Sequence, residues 1–103
     1  MQAEKRSEII KCLGRFPKKC EANLKIESTI DKGAYFEHLI SYYVEADEKI
    51  SAYLLMPKDI NSLSPAVVAI HQHNGQWHMG KSEVVGLVGD KMYHYGSDLA
   101  NKG

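Results

Sequence analysis

Hydrophobic positions change their spacing along this chain, and each change marks an element. Ile9, Ile10 and Leu13 fall on one helical stripe, which predicts a helix over residues 3–13, and Gly14 stands where a helix stops. Residues 15–21 form a basic, proline-bearing connector without a period. Leu24, Ile26, Ser28 and Ile30 then alternate with polar residues, the pattern of a strand, and Asp31-Lys32-Gly33 supplies a turn. Residues 36–45, rich in aromatic and β-branched side chains, read as a second strand. Asp47-Glu48 turns it into a third over 49–56, with Ile50, Ala52, Leu54 and Met56 on one face. A polar loop, 57–64, leads to Ala66-Val67-Val68-Ala69-Ile70, where alternation gives way to a continuous apolar run. Such a run is expected of a strand buried on both faces, as in a parallel sheet. Beyond it a helix can open at Ser82 and run toward Lys91. Residues 97–102 read as a last helix, with Gly103 as its stop. Strands followed by a buried strand and helices give an α/β chain, and 103 residues allow one domain or part of one.

Composition narrows the function classes. The chain is 44% hydrophobic and 25% charged, and its 13 basic residues balance 13 acidic ones. A net charge of zero removes the simplest electrostatic argument for a nucleic-acid or anionic-membrane partner. No apolar run approaches the roughly 20 residues that span a bilayer. The first ten residues, MQAEKRSEII, carry no apolar core or cleavage site for export, so a cytoplasmic location is expected. Cys12 and Cys20 have no metal or redox spacing and read as reduced thiols.

The chemistry concentrates in Pro65 to Ser82, PAVVAIHQHNGQWHMGKS, where the apolar run empties into His71-Gln72-His73-Asn74-Gly75. Open α/β sheets place their chemistry where strands end in such loops. From Gly75 the sequence also spells Gly-x-x-x-x-Gly-Lys-Ser, a formal phosphate-loop match ending at Ser82. Against it, His71 to Asn74 intervene between the strand and the first glycine. Gln76-Trp77-His78-Met79 is bulky where backbone must wrap phosphate. Glu83 would also set a carboxylate beside the anion, and no acidic residue ends a later apolar strand to hold magnesium. A nucleotide-binding protein using Gly75 to Ser82 is therefore the alternative reading, as is a non-catalytic binding module.

Ile50-Ser51-Ala52-Tyr53-Leu54-Leu55-Met56-Pro57, a loop, then Pro65 to Gly75, resembles the dienelactone-hydrolase-like and acetyl-xylan-esterase-like branch of the α/β-hydrolases. Those proteins write the same stretch as xAxLxxP followed by PxVVxxHGxxG. The resemblance covers residues 23–103, with 1–22 as an N-terminal helix and connector. It implies the N-terminal part of an α/β-hydrolase sheet, ending in an oxyanion loop and a following helix. In that family a serine or cysteine nucleophile attacks an ester carbonyl, and backbone N–H groups bind the oxyanion. By position the second of those donors is the backbone N–H of His73, while His71, Gln72, Asn74 and Trp77 line the substrate side. Gln72 departs from the pattern, since the family has Gly there.

The resemblance also implies what should lie elsewhere. The nucleophile elbow, Gly-x-Ser-x-Gly, is not among these residues, and Gly80-Lys81-Ser82-Glu83-Val84 lacks its final Gly, so Ser82 is a poor nucleophile. The 103 residues are thus expected to be one partial hydrolase domain, inactive alone and without acid or general-base His. The full-length parent would act on a small-molecule ester. No cofactor and no metal are expected. His71, His73 and His78, with Asp90 or His94, invite a metal reading, but the Asp that usually follows such a pair is replaced by Asn74-Gly75. Trp77 and Met79 are expected to pack the loop on the sheet. Tyr35, Tyr42, Tyr43 and Tyr53 suit cross-strand pairs, and Glu45, Asp47 and Glu48 a solvated turn. An apolar strand at 66–70 without flanking strands predicts a homo-oligomer, or association through an exposed strand edge.

Overall fold

The computed structural model describes residues 2–60 and 63–103. The chain is α/β, with a three-stranded antiparallel sheet in the order β1-β2-β3 and short helices after it. β1 is Lys25–Asp31, β2 Tyr35–Glu45 and β3 Glu48–Pro57. The predicted strands stand within about a residue or two of these bounds, because each is set by local alternation and a local turn. Asp31 accepts from the Gly33 N–H at 2.8 Å, and Gly33 has φ +90°, which favours glycine. β1 slips register between Ile26 and Ser28, so Glu27 bulges. Its carboxylate accepts from Ser41 Oγ at 2.6 Å and pairs with Lys25 at 3.0 Å. Those hydrogen bonds, Ser41 first, hold it below the usual carboxylate range.

Strand alternation gives the sheet two unequal faces. Tyr35, Glu37, Leu39 and Ser41 of β2 share one face with Pro57, Leu55, Tyr53 and Ser51 of β3. The helical segment lies on this face: Lys81 Nζ sits 5.8 Å from the Tyr53 ring centre, and Tyr35, Glu37 and Ser41 are buried. Ile50, Ala52, Leu54 and Met56 do share a face, as their spacing predicts, but it is the opposite one. There Leu54, Met56 and Phe36 stay exposed.

The helices are α1, Gln2–Leu13, α2, Lys81–Val84, and α3, Tyr95–Lys102, with a 3-10 turn at Lys91–Tyr93 between the last two. α1 ends where expected: Gly14 takes φ +81° and donates to the Lys11 carbonyl at 3.3 Å. None of its residues is buried. The helix expected from Ser82 toward Lys91 stops after one turn. Gly86 and Gly89, at φ +82° and +79°, break the helical path. α3 starts two residues before its predicted position.

Residues 66–70 form no strand; Val67, Val68 and Ile70 are 66%, 89% and 81% exposed. Apolar composition makes a segment worth burying, but a strand needs a neighbour's N–H and C=O groups. Among the described residues none pairs with it, and the sheet present is antiparallel rather than parallel. Part of the loop predicted at 57–64, Asn61 and Ser62, lies outside the described residues.

Candidate functional site

The polar loop after Ile70 is shaped by Asn74 and Gly75. Both have positive φ, +40° and +72°, and the Gln76 N–H donates to the His73 carbonyl at 2.5 Å. Positive φ at both central residues is the signature of a type I′ turn, for which Asn-Gly is the favoured pair. The His73 ring stacks on Trp77, with centroids 4.4 Å apart and planes 8° from parallel. The Gly75 N–H donates to His73 Nδ1 at 3.3 Å, so the His73 ring proton belongs on Nε2. His71 is the opposite tautomer: its Nδ1 lies 2.9 Å from the Gln72 carbonyl, which can only accept, and its Nε2 is left as the acceptor. The His73 backbone N–H has no hydrogen-bond partner among the described residues.

Three contacts fix the loop to the rest of the chain. Gln72 Nε2 reaches Glu83 Oε1 at 3.4 Å, and Glu83 is 4% exposed. The Tyr95 hydroxyl donates to the Ile70 carbonyl at 2.5 Å, holding the end of the apolar run to α3. Lys81 lies over Tyr53 of β3. Sequence reasoning missed Glu83 and Tyr95. Neither sits in a recognisable spacing, and the one available hint was the glycine punctuation at Gly86 and Gly89 around a short helix.

His71, Gln72, His73, Asn74 and Trp77 are therefore consecutive or nearly so on one exposed loop. Trp77 does not pack the loop onto the sheet as expected. It is 77% exposed and its partner is His73. Met79 is partly covered. The histidines do not converge. His94 Nε2 donates to the Val88 carbonyl at 2.9 Å, and Asp90 caps the 3-10 turn by accepting from the Met92 N–H at 3.0 Å. Among the described residues no three His, Cys, Asp or Glu side chains gather as a metal site. Nor does Gly75 to Ser82 wrap a phosphate: its helix has one turn, and its lysine points to an aromatic ring. The tyrosines sit in cross-strand positions, Leu39 facing Tyr53 and Tyr42 facing Ile50. Glu45 and Glu48 face each other across the Ala46-Asp47 turn. A shallow hollow of about 450 Å³ lies between Pro17–Cys20 and that turn, not at the loop.

Comparison with known proteins gives one informative likeness. The chain is 28% identical over 85 residues, 82% of its length, to a protein of Bacillus subtilis (strain 168) named "Putative hydrolase YtaP". Those residues make up 28% of that protein, so the chain spans little more than a quarter of its relative's length. No family model matches the chain, and no solved structure does.

Proposed function

We propose that these residues are the N-terminal part of an α/β-hydrolase of the dienelactone-hydrolase-like and acetyl-xylan-esterase-like branch, acting on carboxylic esters. The observation that carries the reading is the 85-residue likeness to a protein named as a hydrolase. The antiparallel strands leading through an apolar run into His71–Gly75 agree with it. In this reading the His73 N–H binds the oxyanion that forms when a nucleophile from outside these residues attacks the ester carbonyl. A preorganised backbone donor of this kind lowers the barrier by roughly 3 kcal/mol. Its lack of a hydrogen-bond partner among the described residues and its place at the Asn-Gly turn suit that task. The exposed Trp77 face and the His71 Nε2 acceptor lie on the same loop to receive the acyl or alcohol group.

The test uses p-nitrophenyl acetate and two proteins. The 103-residue chain should show no turnover. A chimera in which residues 23–103 replace the matching stretch of the Bacillus relative should hydrolyse the ester. His73→Pro, which removes the N–H, should lower its kcat by roughly 10²–10³. Turnover by the chain itself that Ser82→Ala abolishes would overturn the assignment. Magnesium-dependent ATP binding lost in Lys81→Ala would favour the phosphate loop instead.

A further inference from the structure

The geometry points to Gln72 and Glu83 as a clasp that sets the path of the His73 turn, with Glu83 a positioning residue for the proposed oxyanion donor. The inference rests on the hydrolase reading only for what the clasp positions; the clasp itself is read from contacts. Gln72 is the residue that departs from the family pattern, where Gly lets the backbone find its own path. Here a side chain stands in that place, and its amide reaches across to α2. Gln72 Nε2 and Glu83 Oε1 are 3.4 Å apart, and Gln72 is the one side-chain donor to that carboxylate among the described residues.

The burial of Glu83 makes this long contact consequential. The residue is 4% exposed, and a carboxylate withdrawn from water is strongly disfavoured unless a donor meets it. Its other oxygen is pressed against Gly89, where an added Cβ would run into the carboxylate. Gly89, at φ +79°, permits that close approach because it carries no Cβ. The carboxylate thus fills the space that a side chain at position 89 would take, and its other oxygen faces Gln72. The next residue along the chain is His73, whose carbonyl receives the Gln76 N–H and whose ring stacks on Trp77. Moving Gln72 moves the first residue of that turn.

Two readouts report on the turn without any ester: hydrogen exchange of the Gln76 amide, and fluorescence of Trp77, the chain's single tryptophan. In the 103-residue chain, Gln72→Ala and Glu83→Ala should each speed Gln76 exchange about tenfold and shift Trp77 emission. Exchange of the β2–β3 amides should not change. Gln72→Glu sets two carboxylates face to face and should loosen the turn most. Adding Glu83→Gln to Gln72→Glu exchanges donor and acceptor, and it should restore both readouts. Unchanged exchange in Gln72→Ala, or no restoration in the exchanged pair, overturns the clasp. Equal loss of protection in the sheet would make Glu83 a general core residue and overturn it as well. Because these readouts need no catalysis, failure of ester hydrolysis in the chimera is separable from failure of the clasp.

Discussion

Glu37 stands in register between Ile30 of β1 and Leu55 of β3, is 2% exposed, and has an Oε2 without a hydrogen bond among the described residues. A buried acceptor left unsatisfied costs about 1–3 kcal/mol, and an apolar side chain of similar shape avoids that cost. Glu37→Met should therefore raise the urea midpoint; a lower midpoint would show that the carboxylate has a stabilising partner. Tyr35, on the same face, has its phenol pushed above the ordinary tyrosine range by burial first, then by the charges of Glu37 and Asp98. Its neutral form suits the fold, so the contribution is full below the unfolded pKa and is lost as pH rises through the folded value. Asp98→Asn should bring the Tyr35 midpoint down, read as an ultraviolet titration with Tyr35→Phe as the reference among the chain's six tyrosines. Neither residue was legible as buried. β2 has large side chains on both faces, and a glutamate in an alternating strand reads as solvent-facing.

At the scale of elements, one contact ties the ends of all three strands. Lys58, just past β3, pairs with Asp31 at the end of β1 at 2.7 Å and lies 4.7 Å from the ring centre of Phe36 in β2. The Lys58 hydrogen bond first, then the Gly33 N–H, hold Asp31 below the usual carboxylate range. With a depressed folded pKa, the pair helps above the unfolded carboxylate pKa and is lost as pH falls through the folded one. Lys58→Ala should raise the Asp31 midpoint in a carboxyl NMR titration; because the pair is exposed, its effect on thermal stability should be small. Strand positions and the Gly14 stop were readable because turn residues and alternation act over a few neighbours. Residues 66–70 were not, because pairing is a long-range property. α2 was overextended because the cumulative effect of Gly86 and Gly89 outweighs the helical pattern between them.

The molecule as a whole leaves apolar surface on two sides. Leu54, Met56 and Phe36 are exposed on one face of the sheet, and Val67, Val68 and Ile70 lie open beside the site loop. The buried apolar core is small, Tyr35, Ile40, Val84, Val85 and Ala100 among the described residues. Contiguous exposed apolar surface drives association, and the free edge of β3 offers backbone groups to a partner. Sedimentation at micromolar concentration should show the 103-residue chain as an oligomer. A compact monomer with cooperative unfolding would overturn that expectation. The candidate loop was legible because its histidines and Asn-Gly follow an apolar run, whereas the residues that hold it, Gln72 with Glu83 and Tyr95 with Ile70, meet only through the fold.

The Tyr95 hydroxyl bond to the Ile70 carbonyl closes the chain between them into a ring. Everything proposed to touch substrate lies inside that ring, and one phenolic proton fastens its neck. Closure entropy rises only with the logarithm of ring length, so the circumference can lengthen cheaply where it is away from both the turn and the Glu83 clasp. The fastening itself has no such tolerance. Variation in this loop should therefore collect as insertions on its far arc, while a change of a single oxygen at Tyr95 unties both ends at once.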